Sequence, residues 1–481
     1  MRNITNRIQT EKKVVLFYAR QAQAELYARM AKEMVSSRIA FIVQKEDEAK
    51  TVRKYSGEST PCIYNLTDFI EANWHSSRLE ALSLQEIESV CGISSIWKLF
   101  YTDRFLVNYP KEEDAVKFIK LHYLFIADIV EKEKPDFFVN EEVAIFSAYL
   151  FYYVCKARGC RYIGYSVPRN LSYEKILFTD EPFTHYPDLE YFYQNRGELA
   201  PSDYTDAEEM LQAIRQRHEK PAYMAKTGRK PSLWRNFLRP IVAFAKNDMF
   251  TRRNFYDYET FHTSIKPRLT YFRYHRQARY YQQPVENEKF ILFPLHYQPE
   301  ASTLVKATDF ADQADTVRML AKNMQGEYVL YVKEHYAELG HRDTQFYKEM
   351  KKLPNVRVID PWVDSHELIQ KAEAVVVLTS TVGWEALMYG KPVVALGHVF
   401  YDTYRYCYKV RDVFNFAEEL RAILARVPSR EEVLKEFVPY FAAYLKAMYP
   451  GNYVLSDPSL IEEENVKKLT KALEEKICCN E

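Results

Sequence analysis

Polar residues follow three apolar runs in the second half of the chain, and their types suit the binding of a phosphate. In chain order the groups are His296, Gln298 and Glu300; Lys333, Glu334 and His335; and Ser380 and Thr381. Lys and His donate charge-assisted hydrogen bonds to phosphate oxygens, and hydroxyls add further donors. Because the carboxyl ends of parallel strands meet at one edge of a sheet, we expect one pocket there for a diphosphate or a nucleoside monophosphate.

The last of these groups lies in the most regular stretch of the sequence, residues 374–402. The apolar run at residues 375–378 predicts a strand buried on both faces, and Ser380 and Thr381 then suit the N-cap of a helix over residues 382–388. The pair either only caps this helix or meets a phosphate at its positive end. Glu385, one turn into the helix, either accepts hydroxyls of a ribose or sugar or favours the helix N-terminus.

Strands and helices alternate through residues 290–397, which predicts a parallel sheet with right-handed crossovers. The chain also opens with a strand, a helix and a strand, but it has no GxGxxG turn, so dinucleotide binding is not expected. A length of 481 residues favours two domains of roughly 200 residues each. We therefore predict an α/β fold of two Rossmann-like domains. The expected units are residues 1–280, with a helical and basic insertion at about 180–280; residues 281–432; and a helical tail, residues 433–481, packed back on the first domain.

Composition excludes several classes of protein. The chain has 66 Lys and Arg against 66 Asp and Glu, and this balance argues against general nucleic-acid binding. Its seven cysteines are scattered without CxxC pairs, so neither a zinc site nor a disulfide framework is predicted. The amino terminus has no signal-like apolar region, and the longest apolar run, residues 143–155, is too short to span a bilayer. These features predict a reducing, cytosolic compartment.

Two features of the first half leave alternatives open. Glu141 follows a strand predicted at residues 137–139. It either faces a cleft or, with Glu142, is only an acidic residue at the start of a helix. Residues 226–253 carry eight Lys and Arg and one Asp, interleaved with aromatic residues. This segment is either a solvated basic face or a peripheral contact with anionic lipid or an acidic polymer.

The stretches KEHYAELGHR and VIDPWVDSHELIQKAEAVVVLTSTVGWEALMYGKPVVALGHVFYD resemble the capsule polysaccharide biosynthesis family, which includes bacterial Kdo transferases. The resemblance covers about residues 290–405 and implies the GT-B glycosyltransferase fold, with two Rossmann-like domains facing across a cleft. Members carry a His-Pro motif and a later Ser/Thr motif at the nucleotide phosphate. Lys333-Glu334-His335 matches the first motif, with Tyr336 in place of Pro, and residues 380–385 match the second.

The resemblance also implies roles for individual residues. Glu300-Ala301-Ser302 aligns with an Asp-Ser motif of the family's Kdo transferases, so Glu300 is the expected catalytic or sugar-orienting carboxylate, as base or as nucleophile. His335, which the resemblance also makes catalytic, would meet the charge of the departing phosphate with Lys333, Ser380 and Thr381. Because these donors can replace a metal and no DxD motif is present, we expect neither a metal nor another cofactor.

The function implied is transfer of a sugar from a nucleotide donor, CMP-linked and Kdo-like, to a glycan or glycolipid acceptor during assembly of bacterial surface polysaccharide. The first domain would hold the acceptor and the second the donor. His296, Gln298, Glu141 and Asp402 are further candidates for donor or acceptor contacts, although Asp402 alternatively caps a loop. The protein would be cytoplasmic, with a peripheral contact at the inner face of the membrane through residues 226–253.

Three other functions remain open at this point. A nucleotide-sugar 2-epimerase would also place a helix N-terminus on a diphosphate, and a glycerophosphotransferase would use similar His and Ser/Thr motifs. The third is a polysaccharide-binding or export-assisting protein without turnover, which Tyr336 in place of Pro favours.

Overall fold

A seven-stranded sheet forms the centre of the first domain. The computed structural model describes residues 12–57, 60–104, 112–169, 171, 174–217, 270–410, 412–426 and 429–478. The strands of this sheet are β1 (Lys13–Tyr18), β2 (Ser37–Val43), β3 (Cys62–Asn65), β4 (Phe137–Glu141), β5 (Arg161–Ser166), β6 (Lys175–Thr179) and β13 (Tyr449–Pro450). Their order is β13-β6-β5-β4-β1-β2-β3, and β6 is antiparallel to both neighbours. The strand order therefore reverses between β1 and β4.

The second sheet repeats this winding with six parallel strands. They are β7 (Phe290–Pro294), β8 (Val329–Lys333), β9 (Val356–Ile359), β10 (Ala374–Val377), β11 (Val393–Ala395) and β12 (Cys407–Lys409), in the order β12-β11-β10-β7-β8-β9. This sheet reverses between β7 and β10. Val375 and Val377 pack into the core on one face and Ala374 and Val376 into the core on the other. Burial on both faces explains why β10 is apolar at every position.

Helices cover both faces of each sheet. Those of the first domain are α1 (Ala22–Glu33), α2 (Glu46–Tyr55), α3 (Leu66–Asn73), α4 (Arg78–Ala81), α5 (Leu84–Cys91), α6 (Ile96–Phe100), α7 (Glu112–Glu133) and α8 (Phe146–Ala157). Those of the second domain are α12 (Ala301–Leu304), α13 (Gln313–Lys322), α14 (Thr344–Met350), α15 (Ser365–Lys371), α16 (Thr381–Met388) and α17 (Phe416–Arg426). The predicted α/β fold is confirmed, with two doubly wound and mainly parallel sheets, each covered by helices.

Between the domains and after them the described chain is mainly helical. The connecting helices are α9 (Pro187–Gln194), α10 (Pro201–Arg217) and α11 (Thr270–Gln277), and the final ones are α18 (Arg430–Lys446) and α19 (Glu463–Cys478). Helix α18 packs on α9, α10 and α16, whereas α19 packs on α1 of the first domain. The basic segment 226–253 lies outside the described residues. Across the described ranges, every helix is too short or too polar to cross a bilayer.

The two domains meet at the segment that follows β7. Val305, just after α12, is buried in the core cluster of the first domain, and Lys306 forms an ion pair with Glu142 of that domain (2.5 Å). Close packing continues at Gly397, where an added Cβ would lie 2.7 Å from Lys306 O and 2.8 Å from Leu378 O. A glycine at this position therefore lets the chain after β11 approach the interface.

Candidate functional site

The ends of β7 and β10 meet at the reversal of the second sheet. The backbone N–H of Thr379 donates to Nε2 of His296 (3.4 Å), and the Thr379 hydroxyl donates to Ser302 O (2.8 Å). Burial, together with electrostatic repulsion from the neighbouring His335 and Arg342 side chains, lowers the pKa of His296 to about 3. His296 is therefore neutral at physiological pH. It joins two strand ends instead of offering a positive charge to a phosphate.

His335 stands at the end of β8, where it begins a short turn. Its Nδ1 accepts a hydrogen bond from Ala337 N (3.2 Å), so the neutral ring carries its hydrogen on Nε2. Burial lowers the pKa of His335, although the negative charges of Glu334 and Glu300 act in the opposite direction. The ring packs against Tyr336, which stands where the family has Pro, at 4.7 Å between ring centroids. A neutral Nε2–H is thus the group that His335 can offer to an anion.

Lys333 and Glu334, which precede His335 in the motif, make hydrogen bonds within the protein. The Lys333 ammonium donates to Pro361 O (3.0 Å), and the Lys333 side chain is buried. Glu334 is fully buried, and its carboxylate accepts hydrogen bonds from His335 N (2.8 Å) and Arg342 Nε (2.8 Å). Arg342 in turn donates to His296 O (2.9 Å). The Glu334–Arg342 pair therefore links the ends of β7 and β8 through the backbone of both histidines.

The Ser/Thr motif begins helix α16. Ser380 is the N-cap residue, and its hydroxyl accepts a hydrogen bond from Val382 N (3.1 Å). Thr381 is the first helical residue and is half-buried. Ser380 O accepts a hydrogen bond from the Tyr401 hydroxyl (2.8 Å), a contact that leaves no room for a Cβ at Gly383. Ser380 therefore caps the helix, as predicted. The N-terminus of α16 follows Thr379, whose backbone N–H bonds to His296.

Glu300 and Gln298 lie in the loop between β7 and α12. Glu300 is exposed at the N-cap position of α12, where its carboxylate accepts a hydrogen bond from the Ser302 hydroxyl (2.8 Å). Its negative charge raises the pKa of both His335 and Tyr297, so it lies within electrostatic range of these two rings. The Gln298 side chain instead donates to Ala311 O and holds the loop. The structure therefore places the Glu300 carboxylate near His335 and engages Gln298 elsewhere.

Glu385 and Asp402 interact with residues outside this group. Glu385 is buried on α16, and its negative charge acts on Tyr389 and Tyr401. Asp402 forms an ion pair with Lys409 (3.6 Å), and its charge acts on Glu181 of the first domain. Glu141 belongs to the first sheet, where it pairs with Arg20 (2.5 Å). The residues brought together are thus His296, Glu300, His335 and the start of α16.

Two residues of the site were not predicted from the sequence. Arg342 is buried, and although burial lowers the pKa of Arg342, the charges of Glu334 and Glu338 outweigh that effect and raise it. Tyr401 supports the helix start through Ser380 O. Glu334 and Arg342 are eight residues apart in an irregular stretch, a spacing that no local rule associates with pairing. The one available signal was a charged pair inside the otherwise recognisable KEHYAELGHR stretch.

One protein-family model matches part of the chain. Residues 183–405, which contain all of the second-domain site, match the model of a family described as capsule polysaccharide biosynthesis protein. The resemblance to this family that is seen in the sequence is therefore confirmed for that segment. No curated protein sequence matches the chain.

Solved structures resemble the chain only distantly. One is the KpsC beta-Kdo 2,7 transferase of Thermosulfurimonas dismutans, at 14% identity over 79% of this chain and 97% of that chain, with a TM-score of 0.37. The KpsC beta-Kdo 2,4 transferase of the same organism is 16% identical over 71% of this chain and 88% of that chain, with a TM-score of 0.39. The UDP-GlcNAc 2-epimerase of Methanocaldococcus jannaschii is 10% identical over 88% of this chain and 98% of that chain, with a TM-score of 0.26.

Proposed function

We propose that this protein is a glycosyltransferase of bacterial capsule-type polysaccharide assembly, which transfers a sugar from a nucleotide donor to a hydroxyl of a glycan or glycolipid. The observation that carries the proposal is the grouping of His335, Glu300 and the N-terminus of α16 around the strand reversal of the family-matching domain. Ligands of doubly wound sheets bind at such reversals. The donor we propose is CMP-linked and Kdo-like.

The leaving phosphate is the group best suited to this end of the sheet. The Nε2–H of His335 and the hydroxyls and amides at Ser380 and Thr381 are donors, and the dipole of α16 favours negative charge at its start. As the bond between the anomeric carbon and the phosphate oxygen breaks, negative charge accumulates on that oxygen. Donors already held in place stabilise this charge without reorganising.

Glu300 is the carboxylate placed to act on the sugar. It is exposed, and it lies within electrostatic range of His335. As a base it would take the proton of the acceptor hydroxyl while the hydroxyl oxygen bonds to the anomeric carbon; on the opposite face it would be the nucleophile. The proposal retains a mechanism without metal or cofactor. It also retains a cytoplasmic location with a peripheral contact through residues 226–253, which flotation with vesicles of anionic lipid tests.

A thermal-shift titration with CMP, CDP, UDP and GDP tests the function directly. A ligand that binds only the folded protein, at about 100 times its dissociation constant, adds roughly 2.7 kcal/mol to the free energy of unfolding. We expect stabilisation by CMP, and its loss in His335→Ala and Ser380→Ala. His75→Ala, which removes an exposed histidine of the first domain, is the matched control and should respond as the wild type does.

Other outcomes of the titration would redirect the proposal. Stabilisation by UDP would favour a UDP-sugar enzyme, and interconversion of sugar epimers without release of nucleotide would identify a 2-epimerase. Consumption of CDP-glycerol would identify a glycerophosphotransferase. No response to any nucleotide would contradict a transferase and leave a polysaccharide-binding or export protein.

A further inference from the structure

A cavity of about 600 Å³ at the amino edge of the first sheet is lined by charged side chains that the site described above does not use. Lys13, Phe137 and Arg161 line it and are the first residues of the neighbouring strands β1, β4 and β5. The end of α7 and the turns after α7 and α8 supply the rest of the lining. Strand β1 has six residues, roughly 20 Å of chain. The cavity is therefore remote from the opposite edge, where Glu142 contacts the second domain.

Positive charge predominates in the lining. The charged residues are four cations and two carboxylates: Lys13, Lys134, Arg158, Arg161, Glu131 and Asp136. One oxygen of Asp136 accepts a hydrogen bond from Val14 N (2.8 Å), and the charge of Glu131 acts on Arg78 outside the cavity. The neighbours in the chain do not reverse this balance, because Lys12 and Lys132 are basic and Glu133 is paired with Arg38. An anion in the cavity would therefore meet net positive charge.

Basic residues near the ends of helices can serve only to complement the negative end of the helix dipole. Here the backbone already satisfies the last carbonyls. Val130 O accepts from Lys134 N (3.0 Å), and Cys155 O accepts from the backbone N–H groups of Arg158 and Cys160 (both 3.0 Å). Among the described residues, none accepts a hydrogen bond from the side chain of Lys134 or Arg158 or forms an ion pair with it. These two side chains are therefore available to a ligand.

The backbone of Lys134 gives an independent reason to assign a role to its side chain. Lys134 follows α7 with φ +46°, and Gly159 has the equivalent place after α8 with φ +76°. Glycine adopts this left-handed conformation without steric cost, whereas a residue with a Cβ is strained in it. The turn after α7 thus carries a lysine in a conformation that favours glycine. Strain of this kind concentrates at binding sites.

The floor of the cavity is apolar. Val130, Pro135 and Phe137 line it and are buried, and the Arg161 guanidinium lies 5.7 Å from the centroid of the Phe137 ring. Cavities of about 300–1,000 Å³ hold small organic ligands. A phosphomonoester carries close to two negative charges and three acceptor oxygens, so it can meet several cations that converge from different elements. A carboxylate has one charge and two oxygens, and it would leave part of the positive charge unmatched.

We propose that this cavity binds a phosphomonoester group, carried by a small organic molecule or by a lipid headgroup, with Lys134 and Arg158 as direct donors. The apolar floor would contact the organic part of the ligand. The inference does not depend on the proposed transferase function, because none of the residues assigned to donor or acceptor lines the cavity.

Glycerol 3-phosphate and phosphatidic acid carry the same phosphoglycerol group and test the two sources with the full-length protein. Calorimetric titration measures binding of glycerol 3-phosphate, and flotation measures binding to phosphatidylcholine vesicles with and without phosphatidic acid. We expect Lys134→Gly and Arg158→Gln each to weaken binding of glycerol 3-phosphate about tenfold or more, the scale for losing a hydrogen bond to a charged group. His335→Ala should leave this binding unchanged. Lys50→Gln, which removes a 67% exposed lysine of the same domain, is the matched control.

The outcomes distinguish a binding role from a structural one. Lys134→Gly relieves the strained backbone, so its melting temperature should equal or exceed that of the wild type although binding is lost. Loss of flotation together with loss of glycerol 3-phosphate binding would identify a lipid headgroup as the source, and unchanged flotation would identify a free phosphomonoester. Absence of binding by the wild type, equal binding of malonate, or unchanged binding in both cavity variants would each overturn the proposal. Loss of binding in His335→Ala would place the ligand in the second domain and overturn it as well.

Discussion

At the scale of single residues, the site contains two histidines that differ in burial and in the ring nitrogen that accepts a hydrogen bond. His296 is buried and accepts a hydrogen bond from Thr379 N, whereas His335 is half-buried and carries its hydrogen on Nε2. Both follow apolar strands, and the sequence around them is equally polar. Their difference is set by what packs around each ring, because burial and nearby charge decide which form of an imidazole is stable.

The roles proposed for His335 and Glu300 are tested by truncation. His335→Ala and Glu300→Ala should each lower turnover of the nucleotide sugar at least about 100-fold, the scale for losing a positioned donor or an acid/base group. Initial rates with and without EDTA measure the effect, and EDTA should leave the wild-type rate unchanged. Glu286→Ala, at an exposed position in the same domain, is the control for Glu300→Ala. Near-normal turnover in either variant would remove that residue from its role.

At the scale of elements, the start of α16 depends on contacts from outside the helix. Tyr401, after β11, reaches over Gly383 to donate its hydroxyl to Ser380 O. A Cβ at position 383 would lie 2.2 Å from that hydroxyl oxygen and 3.1 Å from the ring carbon that carries it. The glycine is therefore required by the approach of Tyr401 and not by the conformation of its own backbone.

Substitution of Gly383 separates helix propensity from packing. Alanine favours a helix over glycine by about 1 kcal/mol, so without the clash Gly383→Ala would stabilise the protein. We expect instead a loss of about 1–3 kcal/mol in the free energy of unfolding, the usual cost of overpacking, together with weaker nucleotide binding. Denaturant titration gives the first quantity and thermal shift the second.

Two further variants complete this experiment. Gly383→Ala combined with Tyr401→Phe should recover part of the loss, because the closest atom is removed. Gly326→Ala, where an added Cβ has no neighbour within 4 Å, is the matched control. A stable Gly383→Ala variant would show that Tyr401 moves aside at no cost.

At the scale of the whole molecule, the two domains are joined by charged contacts of unequal burial. Glu142 and Lys306 are 22% and 10% exposed, whereas Lys98 and Asp309, which also connect the domains, are 56% and 76% exposed. Burial alone would raise the pKa of Glu142, but Lys306 and Arg169 outweigh it and lower that pKa to about 2. The folded protein thus holds this carboxylate ionised to lower pH than an unfolded chain does.

This difference predicts how stability depends on pH. The contribution of Glu142 is fully present above its unfolded pKa, about 4.3, and is lost as pH falls to about 2. Lys306→Met should therefore lower the free energy of unfolding by on the order of 2 kcal/mol at pH 7, and the difference from wild type should shrink as pH falls. Lys98→Met, at the exposed pair, should cost less than about 1 kcal/mol at any pH. Equal effects of the two variants would contradict a special role for the buried pair.

Much of the fold follows from local patterns in the sequence. The apolar run before Ser380 predicted a buried strand, and the hydroxyl pair predicted the helix start that Ser380 caps. Four strands, β3, β6, β12 and β13, escaped prediction because the local pattern is weak there. Strand β3 lies in a stretch that otherwise forms helices, and β13 has only two residues, defined by pairing with β6 far away in the chain. Periodicity and capping act over a few residues, so they locate elements but do not pair them.

The sequence by itself determined where strands end and which polar residues stand there, because these follow from hydrophobic period and helix capping. Only the tertiary structure decided which strand ends meet. It joined His296 to Thr379, 83 residues away, and Arg20 to Glu141, 121 residues away. It also buried Glu334 against Arg342 and left Glu300 exposed. Such contacts depend on the winding of each sheet and on the packing of whole elements, which no local stretch of sequence encodes.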